Sequence, residues 1–300
     1  MALNAVFIGG SPRSGTTLLG TLLQCIPDAC VTHESRFKFH RKWDDFSEKS
    51  QFISLLEQDW QYKAWNLSKI DYESCLSERD FYEKLVQSYC NGRPAYWIDH
   101  TPYNIRQFYR LRSIFPQSKF IHLVRDGRAV ANSIMPLEWG PNSPRTAARE
   151  WTDYVGVGLA TQVMHPGDVT MVKYETLIAK PVETLNKLFA FIGIDHRIGG
   201  VNELDLDIRF LPLSMRTGQH QNVGKLPDIS NASKWQTELS DRAIAEFEHH
   251  AHGLLSALGY QVGSSGKRPS KMSLLRGMLV EKWRSKVINP PKYRAIRGIE

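Results

Sequence analysis

The chain opens on a strand that runs straight into a glycine-bounded loop and then a helix. Ala5–Gly10 has the apolar, Gly-terminated pattern of a buried strand. Gly10-Ser11-Pro12-Arg13-Ser14-Gly15-Thr16-Thr17 follows as a loop, and Thr17–Cys25 reads as a helix that stops before Pro27. At such a junction the first backbone N–H groups of the helix point outward and the helix dipole adds partial positive charge. The segment therefore predicts an anion site at the end of a first strand.

The rest of the chain repeats the alternation. Strand patterns lie at Tyr96–Asp99, Lys119–Val124 and Val169–Tyr174, with a weaker one at Ala29–Thr32. Nearly continuous apolar runs such as Phe120-Ile121-His122-Leu123-Val124 suit strands covered on both faces. Helical patterns lie between them at Tyr103–Phe115, Asp126–Met135, Arg145–Met164 and Val182–Ile192, the last opened by Pro181 and stopped by Gly193. The fold class is α/β: a parallel sheet of the phosphate-loop type, flanked by helices and joined by right-handed crossovers. Residues 36–92 break the pattern with an aromatic, helix-like stretch holding Trp43, Trp60, Trp65, Tyr72 and Tyr82. It reads as a helical insertion over one edge of the sheet, with its aromatics as core. The main domain is expected over 1–262, and Gly263-Ser264-Ser265-Gly266 as a linker to a tail over 263–300.

Charge sorts the function classes. The net charge is +7, but residues 267–300 hold ten Lys or Arg against two Asp or Glu, so the tail carries +8 and residues 1–266 carry −1. A nearly neutral body argues against a nucleic-acid partner, which needs a positive field on the folded surface. No apolar run approaches the ~18 residues of a membrane helix, and no signal-peptide pattern is seen. The four cysteines, Cys25, Cys30, Cys75 and Cys90, form no CxxC pair. They are expected as free thiols in a reducing, cytoplasmic compartment. No HExxH or Cys/His set has metal-ligand spacing, so no metal is expected.

Two motifs carry the chemistry. Gly10 to Gly15 has the spacing of a nucleotide phosphate loop, but Thr16 stands where a kinase-type loop has lysine, and the positive side chain is Arg13, inside the loop. That departure argues against Mg-ATP chemistry, in which the lysine contacts the phosphates. The second motif follows the strand Lys119–Val124: Arg125-Asp126-Gly127-Arg128 and then Ser133, about two helical turns on. Arg125 falls at a strand's carboxyl end, where open α/β sheets bind ligands, and an arginine fork suits a terminal phosphate. Asp126 is expected to cap the helix.

Together these motifs resemble the sulfotransferases that use 3′-phosphoadenosine 5′-phosphosulfate. The likeness is closer to the tyrosylprotein and carbohydrate branches than to the cytosolic aryl branch, because Arg13 and Leu18 stand where the latter has lysine and tryptophan. It implies that Arg13, Ser14, Gly15, Thr16 and Thr17 hold the 5′-phosphosulfate, and Arg125 and Ser133 the 3′-phosphate. Lys173-Tyr174-Glu175-Thr176-Leu177 looks like the family's tyrosine-containing strand end near the nucleotide. Asn222-Val223-Gly224-Lys225 with Ser233-Lys234-Trp235 looks like the donor-closing loop of the tyrosylprotein branch, and Leu254–Tyr260 like its last helix. The resemblance implies sulfuryl transfer without a metal, with adenosine 3′,5′-bisphosphate as product.

For the base, Glu34 in Thr32-His33-Glu34-Ser35-Arg36 resembles the tyrosylprotein branch's catalytic Glu, and Arg36 is expected to keep it ionised. His100, two residues before Pro102, stands where many relatives have the lysine that assists the leaving oxygen, while the cytosolic branch has a catalytic histidine at this spacing. Glu34 is taken as base and His100 as the cation, with the reverse left open. A phosphate-loop kinase or nucleotide-binding regulator, and a catalytically silent member of the family, are the competing readings. The acceptor, whether a carbohydrate, lipid-linked group, peptide or small alcohol, is not identified. In the tail, Leu275, Leu279, Trp283 and Val287 recur every four positions among Lys271, Arg276, Lys282, Arg284 and Lys286. This basic amphipathic helix suits either docking on the body or a weak contact with an anionic membrane surface.

Overall fold

Five short strands form one parallel sheet in the order β2-β3-β1-β4-β5: β1 Asn4–Gly10, β2 Ala29–Thr32, β3 Tyr96–Asp99, β4 Lys119–Val124 and β5 Val169–Lys173. The computed structural model describes residues 3–39, 49–67, 70–204, 206–208, 210–211, 224–225, 228–263, 271–287 and 289. Trp43, Asn222, Val223 and most of the expected linker lie outside the described residues. The strands stand where the apolar runs predict them, except that Tyr174 opens a helix instead of ending β5.

The chain builds outward from β1 first to one side, then crosses to the other, so β1 lies between β3 and β4. At such a reversal the crossovers leave in opposite directions and open a crevice at the strands' carboxyl ends. Gly10 of β1 is in register with Leu123 of β4, which brings the two expected anion loops to the same crevice. A Cβ at Gly10 would lie 2.2 Å from the Leu123 carbonyl oxygen, so only glycine permits this approach.

The sheet is buried on both faces, as its apolar runs require. Val6, Ile8, Ile121 and Leu123 pack under α1 (Thr16–Leu22) and under α8 (Tyr174–Ala179) and α9 (Pro181–Ile192). Ala5, Phe7, Trp97 and Phe120 point to the other face. The 36–92 insertion covers that face with α2 (Lys49–Gln58), α3 (Trp60–Ala64) and α4 (Glu78–Tyr89). It was expected over an edge; the bulky residues on this face of β1 and β3 need cover, and Phe81, Tyr82 and Leu85 supply it. Trp65 and Tyr82 are core, whereas Trp60 is half exposed. The expected helix at Tyr103–Phe115 is a 3-10 segment, Pro102–Gln107, followed by α5 (Phe108–Ile114), and α1 likewise tightens into a 3-10 turn, Leu23–Cys25. In the first case the Asn104 amide reaches back to the Ile8 carbonyl at 3.0 Å and holds the segment against the strand ends. Beyond β4 come α6 (Gly127–Ile134) and α7 (Pro144–Met164), which pack with the later helix Asp241–Ala257 around Trp151 and Phe247.

The cysteine expectation is corrected. Cys30 on β2 and Cys90 at the end of α4 form a disulfide, while Cys25 and Cys75 take no part in one. The reason lies in the fold: α4 ends beside edge strand β2, with the two Cα atoms 6.2 Å apart across 60 residues of sequence. With that pair bonded, the ground for a reducing compartment falls away, since such bonds persist in oxidising ones.

Candidate active site

The loop after β1 is built to expose donors. Ser14 N–H donates to the Ser11 carbonyl at 3.0 Å, which closes the turn. Arg13 takes φ 72° and Gly15 φ 100°, left-handed conformations that are strained for arginine and free for glycine. Gly15 is the N-cap of α1 and supplies no capping side chain, so the first N–H groups of the helix keep their donors for another acceptor. Ser14, Thr16 and Thr17 are buried with them, and the Ser14 hydroxyl has no hydrogen-bond partner among the described residues. A buried hydroxyl without a partner is costly. Tyr174 closes the loop from the side: a Cβ at Gly15 would lie 2.7 Å from its ring.

The second motif joins the first. Arg13 Nε donates to Ser133 Oγ at 3.1 Å, across 120 residues of sequence. Arg125 donates from one guanidinium nitrogen to the Arg13 carbonyl at 3.2 Å and from another to the Asn231 carbonyl at 2.6 Å. Its guanidinium lies 4.4 Å from the centre of the Tyr174 ring, and its own carbonyl accepts from Trp151 Nε1 at 3.0 Å. Two anion motifs expected apart are thus hydrogen-bonded into one basic cluster at the cleft between the β1 and β4 ends. Burial, and then the neighbouring Arg125, push Arg13 below its ordinary pKa, with Glu34 opposing. Asp126 caps α6 as expected, accepting from Arg128 N–H at 2.9 Å. Arg128 is committed elsewhere: it pairs with Asp126 and Glu248 and lies 3.9 Å from the Trp235 ring centre. Ser233 and Lys234 are exposed and bond within their own segment, Lys234 Nζ to Asn231 Oδ1 at 2.6 Å, so that segment meets the cleft through Asn231.

On the other side of β1 stand the two candidates for acid–base work. Glu34 follows β2 and is partly buried; its carbonyl accepts from Trp65 Nε1 at 3.3 Å. Its carboxyl is pushed up to about 7, first by burial and then by Asp99, against the pull of Arg36, Arg13 and Lys38. The expectation that Arg36 keeps Glu34 ionised is therefore corrected: lost hydration and a second carboxylate outweigh the arginine. His100 is fully buried. It packs against α1 at Gly20, where a Cβ would lie 3.1 Å from its ring, and against the Phe210 ring at 5.4 Å. That seat is one helical turn beyond Thr16 of the loop.

The description "Sulfotransferase family" fits residues 5–197, which run from β1 past α9 and include both halves of the cleft. The chain belongs to the sulfotransferase family. It is similar to the protein-tyrosine sulfotransferase of Drosophila melanogaster, with 26% identity over 274 residues, 85% of this chain and 51% of that one. It is similar also to protein-tyrosine sulfotransferase 1 of Danio rerio, 27% identical over 202 residues, 63% of this chain and 53% of that one. The chain thus spans about half the length of these curated relatives. In three dimensions it resembles the sulfotransferase domain from the curacin biosynthetic pathway, with a TM-score of 0.57, 20% identity and coverage of 87% of this chain and 99% of that one. The sulfotransferase domain of the Synechococcus PCC 7002 olefin synthase gives 0.56, 22%, 87% and 95%. At these identities the likeness speaks for the fold.

This member of the family also holds a pair that its sequence did not disclose. Lys38 Nζ lies 2.7 Å from Asp99 Oδ2 and 2.7 Å from Ser35 Oγ, and both charged side chains are buried. A signal was there to read: Asp99 ends an apolar strand, Tyr96-Trp97-Ile98, where an ionised carboxylate needs a partner.

Proposed function

We propose that this sulfotransferase moves a sulfuryl group from 3′-phosphoadenosine 5′-phosphosulfate to an acceptor hydroxyl and leaves adenosine 3′,5′-bisphosphate. The observation that carries this reading is the Arg13–Ser133–Arg125 cluster over a phosphate loop that lacks lysine. The donor set fits such a molecule. The uncapped start of α1 and the unpartnered Ser14 hydroxyl suit a doubly anionic 5′ end, while Arg125 and Ser133 suit a separate 3′-phosphate. When bound, the donor supplies an activated sulfuryl group; the chain's own work is to hold, neutralise and deprotonate. Thr16, Thr17 and Arg13 offer donors to the 5′ end. Tyr174 offers a ring face beside the cleft. Glu34 takes the proton from the acceptor hydroxyl, and its raised pKa leaves it basic enough to do so near neutral pH. His100, one turn along α1, is read as the cation near the bridging oxygen.

Peptidyl tyrosine is the first acceptor to try, because the curated relatives are named for it. The test is a transfer screen with sulfur-labelled donor over tyrosyl peptides, sugars, lipids and small alcohols. Label transferred to one acceptor class, and abolished in Glu34→Gln, supports the reading; no transfer to any class, with bisphosphate still bound, favours a silent binding member.

A second reading concerns the C-terminal helix Lys271–Val287. Its Glu281 side faces the body, accepting from Asn142 N–H at 3.1 Å, and Gly277 lies beside Glu246. Met272, Leu275, Leu279, Trp283 and Val287 are left exposed, and at 100° per residue Arg276 and Lys286 share their side. We infer that this apolar and basic face rests on an anionic lipid surface. Sedimentation with anionic vesicles should carry the protein down in low salt, and deletion of 267–300 should abolish that; unchanged binding after deletion contradicts it.

A further inference from the structure

Asp99 does more than end β3. Its neighbours across the sheet are Phe7 of β1 and Thr32 of β2. Its carboxylate accepts from the Ser35 hydroxyl, from Lys38 Nζ at 2.7 Å, from Thr101 N–H at 2.8 Å and from Asn104 Nδ2 at 3.0 Å. Asn104 passes the tie to β1 through the Ile8 carbonyl, and Ser35 N–H donates to Thr101 Oγ1 at 2.9 Å. One buried carboxylate therefore binds the ends of three strands together. The two residues that carry the proposed chemistry adjoin this network in sequence: Glu34 precedes Ser35, and His100 follows Asp99.

A buried ion pair is a poor way to gain stability, since apolar side chains of similar volume often serve as well. Lys38 is nonetheless fully buried, its ammonium 4.6 Å from the Phe39 ring centre and held by Asp99 and Ser35. We infer that Asp99 and Lys38 are positioning residues, a buried charged pair that holds the Glu34 segment through Ser35 and acts on the Glu34 carboxylate through its two opposite charges. The inference rests on the reading of Glu34 as the base.

The electrostatics agree with the geometry. Burial and Asp99 raise the Glu34 carboxyl, while Arg36 from its own segment, Arg13 from the phosphate loop and Lys38 from the network lower it. The two members of the pair thus push Glu34 in opposite directions. Burial opposes the charge of Asp99, but Lys38, Ser35 and Thr101 hold its carboxyl well below the usual range, so its charge is permanent at working pH. A merely structural pair predicts something else: loss of either partner weakens the fold and lowers activity at every pH alike.

The experiment follows Glu34 directly by 13C NMR of glutamate-labelled full-length protein, with Glu34→Gln assigning the signal. It is paired with the pH profile of kcat/KM for sulfuryl transfer. Asp99→Asn is expected to move the Glu34 midpoint down and Lys38→Met to move it up, by roughly one pH unit each. The double variant, which removes both members of the pair, should titrate close to the wild type because the two shifts offset each other, and it keeps the test open if a single variant does not fold. Single-variant midpoints that stay put, or that move in the same direction in both, overturn the inference. If the midpoints move as expected while the kcat/KM profile does not, the pair governs Glu34 as inferred and the base assignment falls instead.

Discussion

The two walls of the cleft are held by different physics. On the donor side, the phosphate loop is fixed by backbone: a strand end, two left-handed residues, and glycines that let Leu123 and Tyr174 approach. On the acceptor side, the segment around Glu34 is held by residues far away in sequence: Trp65 of the insertion donates to the Glu34 carbonyl, Asp99 binds Ser35 and Lys38, and Cys90 bonds Cys30 of the strand before it. A backbone-built site tolerates change around it and depends on a few local residues. A site built on tertiary contacts depends on the integrity of a whole neighbourhood. Substitutions on the two walls should therefore fail in different ways.

The largest effect is expected at Glu34. Glu34→Gln should cut turnover by about 10²–10⁴-fold and leave bisphosphate binding nearly intact. His100→Lys should retain substantial activity, since lysine supplies the charge but is a poor base near neutral pH. A dead His100→Lys beside a nearly normal Glu34→Gln would exchange the two roles. The pH dependence follows from the raised Glu34 carboxyl, at about 7 through burial and Asp99. Turnover should rise with pH up to about 7 and level off above it, because the base must be ionised. Folding runs the opposite way. The folded state favours the protonated carboxyl, so this contribution to stability is full below the ordinary carboxylate range and is lost as pH climbs through about 7. Thermal melts of Glu34→Gln across that window should be flatter with pH than those of the wild type.

Next in size is the disulfide. Cys30→Ser with Cys90→Ser opens a loop of 60 residues and should lower stability by about 2–4 kcal/mol, read from denaturant melts. Because the bond lies on the strand that leads to Glu34, turnover should fall more than bisphosphate affinity; equal loss of both would erase the distinction between the walls. Arg125→Ala comes third. Losing charge-assisted bonds worth ~1.5–3 kcal/mol each should weaken adenosine 3′,5′-bisphosphate far more than adenosine 5′-monophosphate. The smallest effect is expected at Tyr174→Phe. The ring face beside Gly15 and Arg125 survives that change, so bisphosphate affinity should move by less than ~0.5 kcal/mol.

The same contrast explains what could be read from the sequence. The strands were legible because apolar runs bounded by Gly, Pro or charge have few other uses, and the phosphate loop because Gly10, Arg13 and Gly15 act locally. Arg125 and Ser133 were legible as a pair on one strand end and the helix after it. The Arg13–Ser133 bond was not, since nothing periodic links residues 120 positions apart. Lys38 stood in an aromatic run, Arg36-Phe37-Lys38-Phe39, that reads as part of the insertion, and only the folded sheet brings it to Asp99. The disulfide was missed for the same reason, because α4 and β2 meet only once the insertion has packed. The charge on Glu34 was misread because the neighbouring Arg36 is visible in sequence, while burial and Asp99 are not.

Donor recognition is the claim on which the rest stands, and calorimetry with magnesium-free protein tests it most directly. Titrated in turn with adenosine 3′,5′-bisphosphate, adenosine 5′-monophosphate and ATP, the chain should bind the bisphosphate most tightly, and Arg125→Ala should abolish most of that advantage. ATP binding as tightly as the bisphosphate, or a bisphosphate no better than the monophosphate, would contradict a cleft built for two separate phosphates.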